Sequence, residues 1–448
     1  MRYIIGLLIL AVFVSAQAPD TAWTRPFGGS SNDCACSVAL TADGGYIIAG
    51  YTSSYGAGAF DVWLLKTDAQ GNQVWSRTFG GDSSDYAYSV IQTSDSGYVI
   101  TGGTRSYSVD ESDLWLIKTD AQGNLIWSKT FGAYGYDYGY SVAQTADGGY
   151  IITGTTESYS SSSDLWLIKT DAQGNMLWHR TFGGDNSESG YSVIQTTSGG
   201  YVITGETHSY GAGNGDLWLI STDGQGNAFW TKTFGLSFFD EGRSVQQTSD
   251  GGYIITGVRT SLYSGKNAWL LKTDGNGNQV WSKIFGGGSD DYGYSIILAT
   301  DGGYIIGGST ESFGAGSGDV WLIKTDTQGD LIWSMTIGGS SGDYGYSVAP
   351  TADSGYVIAG ITYSYGAGLG DMWLIKTEPD VGVEEEISKK PTFFHGATVI
   401  SGPLRLPRGK RCRVFDISGR EVNPSLIEPG IYFIETDDGV KQKIVKVR

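Results

Sequence analysis

Histidine and cysteine occur only three times each in this chain of 448 residues, and proline nine times. The histidines, at 179, 208 and 395, hold unrelated positions in the repeat described below, so they form no metal-spaced cluster. His208 reads as an exposed loop residue and His179 as part of an outer strand. Three cysteines cannot staple a fold with disulfides. Cys34 and Cys36 stand two apart, so on a strand their side chains share one face. That geometry is poor for a mutual bridge, and two ligands alone make a weak metal site; both cysteines read as apolar fillers. Basic charge is short as well: 29 Lys and Arg face 47 Asp and Glu, a net of −18. Phosphate contact needs a basic surface, which argues against nucleic acid as a partner. Past the N-terminus no apolar run approaches the length of a membrane-spanning helix, so no transmembrane segment is expected. No nucleophile elbow is present, and the glycine-rich loops lead into strands rather than into the helix N-terminus that would bind phosphate.

Glycine, by contrast, is abundant (69 residues) and aromatics reach 13%. This is the profile of a turn-rich all-β protein, since a disordered chain would lack the aromatic and β-branched residues that build a core. The opening "MRYIIGLLILAVFVSAQA" has a charged Arg2, an apolar run from Tyr3 to Val14 and the small-residue site Val14-Ser15-Ala16. Residues 1–16 therefore read as a cleaved secretory signal peptide. The charge is also uneven. Residues 389–448 carry twelve Lys and Arg against six Asp and Glu, a net of +6 that leaves −24 for the rest. Such a step marks a domain boundary.

Self-similarity dominates the remainder. "WLIKT" or a variant puts tryptophans at 63, 115, 166, 218, 269, 321 and 373, spaced by 51 or 52 residues. A second tryptophan follows twelve residues later at 75, 127, 178, 230, 281 and 333, and its seventh member stands at the other end of the chain, as Trp23. Each unit holds four short strand signals; in the second these are "YSVIQT" (88–93), "GYVITGGT" (97–104), "DLWLIKT" (113–119) and "LIWSKTF" (125–131). The turn "TDAQGN" offers Asp120 as a side-chain acceptor and Gly123 as a left-handed residue. Seven helix-free units of four strands predict a seven-bladed β-propeller over residues 17–377. The segment "AWTRPF" is then the outer strand of the last blade, pairing with "DMWLIKT" (371–377) and fastening the two ends of the ring. An open solenoid would show capping repeats, and a membrane barrel would alternate polar and apolar residues along every strand; neither is seen.

The turn in "TDAQGNLIW" resembles the tryptophan-docking motif of quinoprotein dehydrogenases and, one residue longer, the Asp-box of sialidases. Those families imply a propeller. The sialidase arginine triad, and the eight blades and vicinal cysteines of the quinone enzymes, have no counterpart here, so the resemblance extends to fold and not to activity.

After Thr377 the repeat stops. "EPDVGVEEEISKKP" (378–391) is charged and ends on proline, so 378–390 reads as a linker. The strand signals "RVFDISGREV" (413–422), "IEPGIYFIETDDG" (427–439) and "KQKIVKVR" (441–448) predict a small β-sandwich over 391–448. The Asp-x-x-Gly-Arg strand end, the Pro-Gly-x-Tyr strand and the Lys-rich last strand resemble the C-terminal sorting domain of type IX secretion. The resemblance implies passage through the periplasm, engagement of the type IX machinery by residues 391–448, and release or attachment at the outer cell surface. The family's usual Asn-Pro start is replaced by Lys390-Pro391-Thr392-Phe393.

Within the ring, the loops between first and second strands and between third and fourth are short and uniform; those on the other face are longer and varied. Binding residues concentrate on long loops. That face carries Asp33, Asp85, Asp137, Glu188, Asp240, Asp291 and Asp343, one at each entry to an innermost strand. They suit either a ring of charge able to hold a cation such as calcium or local caps of backbone N–H groups. Asp61, Asp113, Asp164, Asp216, Asp319 and Asp371, two residues before the first tryptophans, pose the same choice. Departure from the repeat is more informative, and it gathers in the fifth unit. "LSFFDEGRS" (236–244) brings Phe238, Phe239, Asp240, Glu241 and Arg243, and the loop "VRTSLYSGKN" (258–267) brings Arg259, Tyr263 and Lys266. Aromatic faces beside charges suit a glycan or a carboxylate-bearing ligand; drift in a tolerant loop would also produce them. Asp290–Asp291 and Asp240–Glu241 could serve a glycosidase, though adjacency does not define the separation that chemistry needs. The sequence reads as a secreted or surface-attached binding module for an extracellular glycan or protein. The rivals are a carbohydrate-active enzyme on the same scaffold and a purely structural surface protein.

Overall fold

The computed structural model describes residues 17–159, 162–262 and 265–380, and in the C-terminal part 398–400, 404, 406, 412–416, 421–436 and 441–446. The predicted signal peptide (1–16) and most of the predicted linker lie outside these residues. The chain divides into two compact units, Met1–Val381 and Gly382–Arg448. No helix among the described residues is long and apolar enough to cross a membrane.

The first unit is a seven-bladed β-propeller of four-stranded antiparallel sheets. In chain order the blades span 33–79, 85–131, 137–182, 188–234, 240–285, 291–337 and 343–377, and the seventh takes its outer strand from Thr21–Phe27. Trp23 lies opposite Lys376, Pro26 opposite Trp373 and Phe27 opposite Met372, as the displaced tryptophan predicts. Pro26, which has no N–H to give, sits on the outer edge strand, where a proline is tolerated. The clasp continues to Glu378, whose N–H donates to Asp20 O at 2.7 Å.

Blades adhere through apolar layers. The two middle strands of each sheet are buried along their length, as in Tyr98–Thr104 and Asp113–Thr119. Isoleucines and valines on both faces of these strands fill the space between neighbouring sheets. Each outer-strand tryptophan reaches the next blade and tilts against its tyrosine, from Trp23–Tyr46 (6.2 Å between centroids) to Trp333–Tyr356 (6.2 Å). Except for Trp333, whose next blade has no such turn, the same indole also lies on the glycine of the next blade's "TDxxG" turn. In the turn at Asp120 the carboxylate accepts from Gln122 N and Asn124 N at 2.9 and 2.8 Å, and Gly123 has φ +76°.

Charge is also buried between strand and turn. Lys66, Lys118, Lys169, Lys272, Lys324 and Lys376 are each almost wholly enclosed and pair with an aspartate of their own blade's first turn. In blade four both partners are absent together, replaced by Ser221 and Ser198.

In the second unit Thr398–Ile400, Cys412–Asp416, Gly430–Thr436 and Lys441–Lys446 make one sheet, in the order first, fourth, third, second. The first and fourth run parallel, and Val414 and Ile434 are buried against it. The sequence predicts a sandwich; the described residues supply a single sheet.

Gly174 and Gly199 separate the two demands placed on turn glycines. Both have positive φ, +75° and +87°; a Cβ on Gly174 would meet the Trp127 ring at 2.6 Å, while one on Gly199 would meet nothing within 4 Å. Gly199→Ala should cost about 1–2 kcal/mol, from the left-handed backbone alone. Gly174→Ala should cost about 2–5 kcal/mol, because overpacking is added to the same strain. Equal losses in denaturant unfolding of the two variants would show that the indole contact does not constrain the turn.

Candidate functional site

The innermost strand of each blade is a sheet edge turned toward the central channel, and all seven carry a bulge at the same place. A bulge leaves one residue out of the ladder. Those residues are Cys36, Tyr88, Tyr140, Tyr191, Arg243, Tyr294 and Tyr346. They form a half-buried collar in the channel: Tyr88–Tyr140, Tyr140–Tyr191 and Tyr294–Tyr346 have centroids 5.3–5.4 Å apart, and the Arg243 guanidinium lies 4.1 Å from the Tyr191 ring centre. Cys36 takes a collar position beside the buried Cys34, and both thiols are free. Hydrogen bonding to Cys34, together with burial, pushes the Cys36 thiol well above its usual range.

The collar is interrupted by charge in one sector. Glu241, 3% exposed, accepts from Arg243 Nε through Oε1 at 2.7 Å, and its Oε2 lies 2.7 Å from Arg243 Nη2 as the second arm of the ion pair. Tyr191 OH donates to Glu206 Oε1 at 2.7 Å, and Glu206 Oε2 is enclosed without a donor. Burial, then the charge of Glu241, pushes the Glu206 carboxyl up. Burial acts against Arg243, and the Glu241 charge more than offsets it and holds the guanidinium protonated. The corresponding positions elsewhere are neutral: where blade five has Glu241, blades two, three, six and seven have Tyr86, Tyr138, Tyr292 and Tyr344, and blade four has Ser189. Opposite Ser189 stands Glu206, where blades two, three and six have Gly103, Thr155 and Ser309.

The sequence-predicted residues scatter across this sector. Arg243 and Glu241, read as loop residues, are an ion pair in the channel wall, because the strand begins at Asp240. Asp240 is fully buried and accepts from Leu236 N and Thr260 N at 2.8 and 2.9 Å, so it faces the protein rather than a ligand. Phe238 and Phe239 are half-buried on the long-loop rim. Phe239 lies 5.9 Å from His208, which is half-buried rather than exposed; His208 also lines a cavity of about 580 Å³ with Asp185, Asn186 and Asn214. Arg259 lies over Trp269 at 5.1 Å and Lys266 over Tyr292 at 5.2 Å. Tyr263 lies outside the described residues. The segment 258–267, predicted as a loop, is mostly ladder: Tyr253–Ser261 and Gly265–Thr273 extend as a hairpin of two nine-residue strands. It lacks the Gly-Ala-Gly of the loops in blades one, four, six and seven, whose positive-φ glycines, such as Gly56 and Gly58, break the strands there.

The seven entry carboxylates are fully buried caps of their own blades. Asp85 accepts from Thr104 Oγ1, from Ser106 Oγ at 2.6 Å and from Gly81 N at 3.1 Å; Glu188 accepts from Thr207 Oγ1 and Ser209 N at 3.0 Å and Gly184 N at 2.9 Å. Six of the seven meet a member of the second set across a blade boundary. Asp61 and Asp85 flank Gly80, Asp113 and Asp137 flank Gly132, and Asp319 and Asp343 flank Gly338. At the junction of blades five and six the chain has Asn267 beside Asp291. Among the described residues no three His, Cys, Asp or Glu side chains converge as metal ligands. The sequence reasoning missed Glu206 and Tyr191. Aligning the second strands would have isolated Glu206; the channel role of Tyr191 depends on the bulge.

No protein-family model matches the chain. Among curated proteins, the regulatory protein FlaEY of Caulobacter vibrioides is 25% identical over 277 residues, 56% of this chain and 28% of FlaEY. The chain thus spans well under two thirds of that relative. Among solved structures, Sqt1 from Chaetomium thermophilum shares 10% identity at a TM-score of 0.45, over 77% of this chain and 82% of Sqt1. The Pan2 WD40 domain of Neurospora crassa shares 8% at 0.46, over 77% and 89%. The extracellular domain of a hybrid two-component system protein from B. thetaiotaomicron shares 10% at 0.45, over 96% and 60%.

The carboxylate pairs give stability a defined pH dependence. Burial pushes Asp61 up to about 6, with the Asp85 charge adding to it, and burial likewise raises Asp113, Asp216 and Asp319. Such a group destabilises the fold while ionised and ceases to as pH falls through its folded value toward the unfolded one near 4. In the opposite direction, hydrogen bonds from Thr93, Lys118 and Gly97 overcome desolvation and hold Asp95 at about 2; Asp147 and Asp250 are held there too. Their contribution is lost below about pH 4. The melting temperature should therefore rise from pH 7.5 to about 5 and fall again below about 4. Asp61→Asn, the residue the chain itself uses at 267, should raise stability at pH 7.5 by on the order of 1 kcal/mol and flatten the rise. A melting temperature that falls steadily from pH 7.5 downward contradicts the paired arrangement.

Proposed function

We propose that this propeller is an exported binding module that takes an extracellular glycan or protein at the long-loop mouth of its channel, across blades four and five. One observation carries the reading: Ser189, Glu206, Glu241, Arg243, Arg259 and Asn267 all depart from the repeat, and all lie in these two blades. The half-buried Arg243, the rim pair Phe239 and His208 and the polar cavity beside them supply charge, an aromatic surface and hydrogen-bonding groups in one place. The signal-like residues 1–16 and the sorting-domain resemblance of 391–448 support delivery to the outer surface through the periplasm by type IX secretion.

A second reading, a glycan-cleaving enzyme, draws on Glu206 and Glu241. One carboxyl is raised by burial and the other is paired to a guanidinium, which is how unlike acid and base roles arise. It moves the chemistry away from Asp240 and Asp291, which are occupied as caps.

The test restores the repeat. Glu241→Tyr combined with Arg243→Tyr gives blade five the residues of blade six and removes both members of the ion pair together, so neither is left buried alone. The doubly substituted protein should keep its melting temperature and lose at least about tenfold in binding to whatever glycan or surface protein an array selects for the parent. Unchanged binding would place the ligand elsewhere, and product release from a polysaccharide panel, lost in Glu206→Gln, would establish the enzyme. Export has its own test: deletion of 391–448 should leave a folded propeller accumulating in the periplasm, and normal surface delivery would remove the sorting role.

A further inference from the structure

We infer a second ligand site at the opposite, short-loop mouth of the channel, built for a neutral glycan. A cavity of about 1010 Å³ opens there along a crescent from blade two to blade six, and no charged side chain lines it. That is notable in a protein of net charge −18. The nearby turn aspartates 147 and 250 stay exposed at the rim but are each paired to an enclosed lysine, Lys169 and Lys272, and blade four has serines in place of both members of the pair.

Three amides of the crescent are fixed in place. Blades two to five end their innermost strands in Gln92, Gln144, Gln195 and Gln247, where blades one, six and seven have Leu40, Leu298 and Pro350. The carbonyl oxygens of Gln144, Gln195 and Gln247 accept from Ser94 N, Ala146 N and Thr197 N of the preceding blade at 2.8–3.0 Å. That bond leaves the Nε2 groups of Gln195 and Gln247 as oriented donors with no protein acceptor. Gln246 adds an amide with no bond at all, at a position that is alanine or isoleucine in every other blade. A structural cap explains the three oxygens; it explains neither the unused donors nor Gln246.

Donors held still before binding favour a ligand rich in acceptor oxygens. The lack of lining charge selects against uronates, sulfates and cations. A protein partner is disfavoured on two counts. The lining has no Trp, Tyr or Arg anchor of the kind that dominates protein interfaces. The strand edges that a peptide would extend are already capped by serines. A neutral sugar chain matches what remains: hydroxyls for the amides and C–H faces for Ala143, Ile194 and Leu298. The site does not depend on the reading of the other mouth.

The chain supplies its own variants. Gln246→Ala copies blades one, three and seven, and Gln247→Leu copies blades one and six, so both should fold. Calorimetric titration of the full chain with neutral gluco-, manno-, galacto- and xylo-hexaoses, and with oligogalacturonate and a sulfated oligosaccharide, tests the inference. At least one neutral hexaose should bind, Gln246→Ala with Gln247→Leu should weaken it by about tenfold or more, and Glu241→Tyr with Arg243→Tyr at the far mouth should leave it unchanged. No binding by any neutral hexaose, preference for the charged probes, or binding indifferent to the glutamine substitutions overturns the site, whatever happens at the long-loop mouth.

Discussion

A propeller leaves seven backbone edges facing its axis, and an edge N–H inside a narrow channel has no ladder partner. Here a serine answers each one. Val38 N donates to Ser347 Oγ, Val90 N to Ser37, Val142 N to Ser89, and so on around the ring to Val348 N and Ser295, at 3.2–3.4 Å. Every bond crosses a blade boundary, so the set is complete only when the last blade meets the first. The N-terminal strand makes that meeting permanent on the outside of the ring, and the serines complete it at the axis.

The collar follows from the same constraint. Each serine can turn to its neighbour because the ladder slips by one residue just before it, and the residue expelled by that slip enters the channel. Nothing in the closure specifies what that residue is, and tyrosine, cysteine and arginine all occur there. Serine, by contrast, is found in all seven blades at the next position. The outer rim shows the same division of labour: the turn glycine and the indole that covers it hold from blade to blade, while Val74, Ile126, Leu177 and Phe229 beside the tryptophans are exposed and vary. Framework and freedom thus alternate along single strands.

This alternation explains what could be read in advance. Strands, turns, the clasp through Trp23 and the buried caps each repeat seven or nearly seven times, and a repeated local task leaves a repeated residue. The channel was illegible because period-two reasoning places Tyr86 and Tyr88 on one face of a regular strand, and a bulge at Tyr88 cannot be seen from alternation alone. Arg243 is hidden for the same reason: it stands at the bulge of the strand that opens at Asp240, where alternation from Glu241 does not show it entering the channel. The segment 258–267 reads as a loop by analogy with its neighbours, although the Gly-Ala-Gly that breaks the strands of blades four and six is missing from it. In the C-terminal unit, strand signals were correct in kind, but counting strands does not say how many sheets they make.

The expectation that function resides on the long loops also needs a physical qualification. Loop length measures tolerance to insertion; it does not measure how still a binding group is held. On the long-loop face several of the deviant side chains are spent on protein partners: Arg243 on Glu241, Arg259 on Trp269, Lys266 on Tyr292. On the short-loop face the turns barely vary, yet the last residue of each innermost strand does, between glutamine, leucine and proline. A glutamine there is locked through its oxygen and loses little further freedom when its nitrogen meets a ligand. Uniform turns therefore make the better platform for weak neutral hydrogen bonds, and the charged sector of blades four and five the better one for a ligand that must be selected by charge. The two mouths differ in kind because one inherits the regularity of the ring and the other the exception to it.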